Sequence, residues 1–356
     1  SDAWLALLLG LCCLYVANWM LGFAGWYDAH NGYTTFMFYM PWNLILFIGP
    51  VIYFYFRSLT NDAFRPSRRQ WWFLVPGTLL LLTNLWAFGK DIVVDHWWRG
   101  LPLSEFYGTR GPNAQVGLPV LDTAWFELSW LYFFLGLTIR DYRQYRGYLR
   151  DNFSNTELLE FNWLRNLLIA VVVGMTIVAL FSLVNDWLFE LSYQQFWFSY
   201  FSVAVLIYYL SIAGYSMVPR LPVRLQFDPA APPAPDPPPD PELMAWKRRI
   251  ERYLAAQRPF LNNNLTLQEM ARDLNTNPSV LSRIINQGFQ QNFNDFINAH
   301  RVKAVKERLG EPDSRQYTLL AIALECGFNS KATFNRAFRK HTGRSPSEYL
   351  REQGAK

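Results

Sequence analysis

Between Arg165 and Asp186 the chain carries no charged residue, and it includes the run Leu167-Leu168-Ile169-Ala170-Val171-Val172-Val173. A helix of such a stretch is apolar on every side, and about 20 residues of this kind match the ~30 Å hydrocarbon core of a bilayer. The pattern recurs at 3–20, 35–56, 71–88, 123–139, 164–183 and 196–218. One apolar helix of this type fits the core of a soluble protein, but six in succession do not. The sequence therefore predicts an all-α fold whose residues 1–218 form a polytopic transmembrane bundle of six spans. Hydrophobic residues make up 51% of the 356-residue chain, and they concentrate before Pro219.

Cations order the spans. Arg57, Arg65, Arg68 and Arg69 follow the second span, Arg140, Arg143, Arg146 and Arg150 the fourth, and Arg220 and Arg224 the sixth. The opposite loops hold Asp28, Asp91, Asp95, Glu105, Asp186 and Glu190. Short cytoplasmic loops are enriched in Lys and Arg, so the chain beyond the sixth span is expected inside the cell. Residues 219–241 follow, with the tract 229–241 holding eight prolines. That composition favours polyproline II and predicts a semi-rigid linker.

Within the spans, Glu127 is the leading candidate for a ligand-sensing residue, because an ionisable group exposed to lipid costs several kcal/mol and tends to face a cavity. Asn43, Asn84 and Trp125 are candidates beside it, although asparagines also bond between helices and tryptophans populate the interfacial belt. The long outer loop 89–122 is expected to act as a lid or receptor surface. The ligand, a small molecule or a peptide, is not specified. Cys12, Cys13 and Cys326 have no metal-ligand spacing, and His30 and His96 stand apart in outer loops. No metal site, cofactor or catalytic motif is expected.

The last hundred residues change character. Two tandem helix-turn-helix units are predicted: helices 265–274 and 278–287 joined at 275–277, then helices 319–326 and 330–341 joined by Gly327-Phe328-Asn329. Thr266 with Glu269 forms a capping box, Asn277 precedes Pro278 as an N-cap, and Gly343 stops the last helix. Leu267, Met270, Ala271 and Leu274 share one face, opposed by Val280, Leu281, Ile284 and Ile285. That leaves Ser279, Ser282, Arg283 and Asn286 outward on one recognition helix, and Lys331, Asn335, Arg336 and Arg339 on the other, where a helix-turn-helix meets the major groove. Residues 242–356 hold 19 Lys or Arg against 11 Asp or Glu, a surplus suited to a phosphate polyanion.

The run Leu281-Ser282-Arg283, the stretch Phe293-Asn294-Asp295-Phe296-Ile297-Asn298 with Arg301, and the turn Gly327-Phe328-Asn329-Ser330 are joined by Phe334-Asn335-Arg336-Ala337-Phe338-Arg339-Lys340 and Gly343-Arg344-Ser345-Pro346. Together they resemble the DNA-binding domain of the AraC family of transcription regulators over roughly 242–351. The resemblance implies base-reading roles for Ser279, Ser282, Arg283, Lys331, Asn335 and Arg336. Gln290 departs from a frequent glycine, and Ala332 from a frequent serine. Taken with the six predicted spans and the placement of the arginines, the resemblance points to a membrane-integral, one-component regulator of the bacterial inner membrane, with its reader (242–356) in the cytoplasm. Its expected partners are double-stranded promoter DNA, membrane lipid, a second copy of the chain and RNA polymerase. Membrane-attached members often carry a further N-terminal span, so seven native spans are expected. A constitutive tethered DNA-binding protein and a transporter-like protein with an attached regulator are the alternatives.

Overall fold

A computed structural model describes residues 2–354 apart from 27, 30, 43, 103–110, 116–120, 122, 158, 161, 217–224 and 230–239. The described residues form helices, with only two isolated β-bridges. They divide into two compact units, Ser1–Tyr142 with Asn162–Phe227, and Arg143–Phe161 with Asp228–Lys356.

The first unit holds α1 (Asp2–Phe23), α2 (Gly32–Phe38), α3 (Ile45–Thr60), α4 (Val75–Phe88), most of α5 (Ala124–Asn152), α6 (Asn162–Trp187) and α7 (Tyr193–Ser216). α1 packs on α3 and α7, and α6 packs on α7. Gly49 lets α3 approach α5 closely, since a β-carbon there would lie 3.1 Å from the Phe134 ring. Around that contact Phe73 and Trp130 meet Phe134 edge-on at 5.1 and 5.2 Å. Each such ring buried is worth about 1.5–3 kcal/mol. Many other apolar side chains of this unit face outward, among them Leu79, Leu82, Leu85, Ile169, Val173, Leu180 and Phe201.

Among the described residues three helical stretches are long and apolar enough to cross a membrane, Asp2–Gly22, Gln70–Trp98 and Arg165–Trp187, where six spans were expected. The differences have local causes. The stretch 35–56 is not one helix: α2 ends at Phe38, just before Pro41, and α3 starts only at Ile45. The residue preceding a proline avoids helical backbone. The helix over 123–139 does not stop there, and α5 runs on through Arg140, Asp141, Arg143, Arg146 and Arg150. The expected outer loop begins as helix, because α4 continues in π-helical form over Gly89–Trp98.

Two of the arginines taken as marks of cytoplasmic loops have structural roles. Asp141 is fully buried; it accepts from Tyr53 Oη at 3.2 Å and from Arg140 Nε and Nη2 at 3.0 and 2.9 Å. Arg57 Nη1 approaches the same carboxylate at 3.8 Å. The residues after α7 are only partly linker-like. Leu225 and Phe227 are buried, and Asp62 N donates to Leu225 O at 3.2 Å while Phe227 N donates to Thr60 O at 3.1 Å. The proline tract itself lies largely outside the described residues.

The second unit is built on α8 (Asp240–Gln257), α9 (Leu267–Asp273), α10 (Pro278–Phe289), α11 (Phe293–Leu309), α12 (Leu319–Glu325), α13 (Lys331–Thr342) and α14 (Pro346–Gly354). α11 is its spine, touching α10, α12 and α13. One apolar core runs from Ile250 and Met270 through Ile284 and Ile297 to Phe334 and Phe338. Residues 153–157, which follow α5, also belong to this unit.

Candidate nucleic-acid interface

Both short-helix pairs begin where their capping residues place them. Thr266 N donates to Glu269 Oε2 at 2.9 Å and Glu269 N to Thr266 Oγ1 at 3.2 Å, which closes the capping box. Asn277 Oδ1 accepts from Ser279 N at 2.8 Å. In the second pair Thr318 caps Ala321 N at 3.1 Å and Ser330 caps Thr333 N at 3.1 Å. Each such cap is worth ~1 kcal/mol. Gly343 ends α13 with φ 75°, its N donating to Arg339 O at 2.9 Å.

The tight turns call for special backbone. Gly327 has φ 91°, and a β-carbon there would strike the Phe260 carbonyl oxygen and lie 3.0 Å from Arg301 Nε. Asn275 takes the left-handed conformation in the first pair, with φ 48°. Gln290, which departs from the expected glycine, is likewise left-handed at φ 54° as it closes α10.

Arg301 holds this turn to the rest of the unit. Only 1% exposed, it donates from Nε to Phe260 O at 2.8 Å and from Nη2 to Asn262 O at 2.8 Å. Nη1 reaches Asn298 Oδ1 and Ser154 O at 3.2 Å each, and Nη2 reaches Ser154 Oγ at 3.0 Å. Burial with no carboxylate on any of these bonds lowers its pKa to about 10.

Six of the eight residues expected to face outward are exposed. Ser279 and Asn286 are exposed on α10, with Ser282 and Arg283 half-buried between them. Lys331, Asn335, Arg336 and Arg339 are exposed on α13, while Phe334 and Phe338 point into the core. Both helices rest on α11, which brings the two sets together on one unit. Cys326 is buried in the core.

Two parts of the unit escape a reading of the helix pairs alone. α8 packs on α10, with Ile250 and Leu254 buried and Trp246 and Tyr253 packed beside them. The spacing Trp246, Ile250, Tyr253, Leu254 is itself helical and was the signal for it. Residues 153–157 also dock here. Ser154 N donates to Leu265 O at 3.1 Å, Asn294 Nδ2 donates to Phe153 O and Ser154 O at 3.2 and 2.9 Å, and Glu157 Oε1 accepts from Ser330 Oγ at 2.8 Å.

The sensing candidates are scattered. Glu127 is half-buried on α5 within electrostatic reach of Tyr15, whose ring lies 5.8 Å from that of Tyr200. Asn84 is half-buried on α4, and Trp125 is exposed at the start of α5. Asn43 and His30 lie outside the described residues. A cavity of about 80 Å³ opens elsewhere, among Thr35, Tyr39, Asp91, Asp95, His96 and Pro112. There Tyr39 Oη donates to Asp91 Oδ2 at 2.5 Å, and His96 Nδ1 lies 2.9 Å from Leu101 O. Among the described residues no group of three or more His, Cys, Asp or Glu is placed to hold a metal ion.

Residues 270–352 match the helix-turn-helix domain family. The carboxy-terminal region carries a helix-turn-helix domain. It is 33% identical over 102 residues to the uncharacterized HTH-type transcriptional regulator YijO of Escherichia coli, covering 29% of this chain and 32% of that one. It is 28% identical over 106 residues to the melibiose operon regulatory protein of Escherichia coli, covering 29% and 34%. A third relative, the uncharacterized transcriptional regulatory protein YesN of Bacillus subtilis, is 33% identical over 99 residues, covering 26% and 25%. The chain thus spans about a third or less of these relatives' length. A solved structure of a Listeria innocua protein of unknown function is 26% identical, covering 29% of this chain and 92% of that one, with a TM-score of 0.25. The named relatives are described as transcription regulators.

Proposed function

We propose that this chain is a membrane-embedded one-component transcription regulator. Its first unit senses an outer or intramembrane signal, and its helix-turn-helix domain binds promoter DNA in the cytoplasm through α10 and α13. One observation carries the reading: a helix-turn-helix domain shares its chain with helices that are apolar enough to cross a bilayer and turn large apolar side chains outward. In water such faces are a liability, whereas in lipid they are the expected surface. Multi-pass insertion in the bacterial inner membrane places α1, the Gln70–Trp98 stretch and α6 across the bilayer, with α3, α5 and α7 as the further spans.

On the DNA side, Arg283 and Arg336 suit guanine, Asn286 and Asn335 suit adenine, and Ser279, Ser282, Lys331 and Arg339 complete the contacts to bases or phosphates. Two chains side by side raise the local concentration of readers at a promoter, so a signal that alters pairing alters occupancy without a new base contact. Contact with RNA polymerase would then follow from where the reader sits. Glu127, Asn43, Asn84 and Trp125 remain the proposed sensing residues of the bundle, and the cavity beside Asp95 and His96 supports a signal arriving from the outer side.

Protease treatment of membranes tests the arrangement. Added to inverted vesicles, trypsin should release fragments of residues 242–356 while a carbonate wash leaves the remainder in the membrane. Cleavage of the same region in intact spheroplasts, or loss of the whole chain to the carbonate wash, would contradict it.

A further inference from the structure

α5 runs unbroken into the second unit, and residues 153–157 follow it directly along the helix-turn-helix domain. Phe153 pairs with Thr266 in an isolated antiparallel bridge, and Ser154 is held by Leu265, Asn294 and Arg301. The segment thereby lies against the N-terminal end of the first helix pair and against the spine α11. Glu157 then reaches the start of the second recognition helix. Its Oε1 accepts from Ser330 Oγ at 2.8 Å and also from Thr333 Oγ1. Ser330 is the N-cap of the 12-residue α13, and its hydroxyl caps Thr333 N.

That position has a defined electrostatic character. The N-terminus of a helix carries partial positive charge and binds anions, and recognition helices bring this end to the duplex. DNA phosphates are bound by such helix ends and by Ser and Thr hydroxyls. Glu157 places a carboxylate where both features converge, on the helix that exposes Lys331, Asn335 and Arg336. A phosphate and the carboxylate cannot share the two hydroxyls, and their like charges repel.

Building on the proposed DNA-binding role, we infer that residues 153–157 are an autoinhibitory strap. Docked, it seats Glu157 as a phosphate mimic on Ser330 and Thr333 and holds α13 away from DNA. Because the strap is the direct continuation of α5, a signal that shifts α5 has a covalent route to the reader, independent of the proline tract. A reader that is competent only when undocked has its apparent affinity reduced by the undocked fraction, so weakening the strap raises affinity without altering any DNA contact.

The test uses the intact protein in lipid nanodiscs and a random-sequence duplex at low salt, with binding followed by fluorescence anisotropy. Glu157→Ala should bind about 3- to 10-fold more tightly than the parent, with Glu157→Gln in between. Glu160→Ala removes the same charge from a nearby residue whose carboxylate accepts from Thr156 Oγ1 at 2.8 Å, so it should change affinity little. If Glu160→Ala matches Glu157→Ala, net charge rather than the contact governs binding, and the strap is refuted. If Glu157→Ala and Glu157→Gln bind no better than the parent while Arg336→Ala binds worse, the strap fails and DNA binding stands. If neither the parent nor any variant binds the duplex, DNA binding itself fails, and the strap with it.

Discussion

Replacing Arg301 with leucine should loosen the helix-turn-helix domain more than any single surface change. The side chain is 1% exposed and satisfies the carbonyls of Phe260, Asn262 and Ser154 together with Asn298 Oδ1 and Ser154 Oγ. Leucine fills most of the volume but removes these donors from the buried Phe260 and Ser154 carbonyls and from that of the exposed Asn262, with hydrogen bonds to a charged group worth about 1.5–3 kcal/mol each and a buried acceptor left unmet costing about 1–3 kcal/mol. Removing a buried cation returns part of that, since an ion taken out of water pays several kcal/mol. The net loss should be about 3–5 kcal/mol, a large share of a typical domain's 5–15 kcal/mol. Hydrogen exchange of α11 peptides in the intact protein reads this directly, because each 1.4 kcal/mol is a factor of ten in opening. Amides in α11 should exchange roughly 10²- to 4 × 10³-fold faster. Arg301→Lys, with three donors on a compact head, should recover part of the protection. Exposed Lys303→Leu on the same helix serves as control. Parental exchange in Arg301→Leu, or an equal effect of Lys303→Leu, would refute the reasoning.

Other consequences are as specific. Gly327→Ala must take φ 91° with a β-carbon in the Phe260 carbonyl, so a loss of at least about 3 kcal/mol is expected, seen as a lower unfolding midpoint or failure to express. Gln290→Gly removes left-handed strain of about 1–2 kcal/mol and gives back part as chain entropy, so slower exchange in α10 by a net ~0.5–1 kcal/mol is expected. His300 and His341 are lowered from their ordinary value of 6.5, first by burial; Lys303 adds to the first and Lys340 to the second, while Glu251 and Asp295 oppose them. The folded domain therefore binds fewer protons than the unfolded chain, and stability that is whole above pH 6.5 declines as pH falls below it toward the lowered values. A pH series of exchange rates should show this decline, and His300→Gln should flatten it.

The helix-turn-helix domain was legible because its signals are local. Thr266, Asn277 and Gly343 mark helix ends within one turn of themselves, and the outward residues follow from the 3.6-residue period. α8 carried the same kind of signal. The contacts of residues 153–157 did not, because Glu157 meets a helix start 173 residues away, and nothing in a loop sequence announces such a partner. Hydropathy found the apolar stretches but not their breaks. Pro41 interrupts one, charged residues prolong α5 well beyond its apolar part, and π-helical turns carry α4 into what composition assigned to a loop. Arginine counting was likewise blind to Asp141, whose buried carboxylate takes up Arg57 and Arg140.

The central claim is that one chain both resides in the membrane and reads DNA. Genome-wide crosslinking of the intact protein, recovered from the washed membrane fraction, tests both halves at once against the Arg283→Ala/Arg336→Ala double variant. The account predicts a small set of sharp sites that vanish in the double variant while the protein remains in the membrane. If Arg336 contacts a base, its loss alone should cost ~1–3 kcal/mol at those sites. Sites that persist unchanged in the double variant, or sites recovered only from protein outside the membrane, would contradict it.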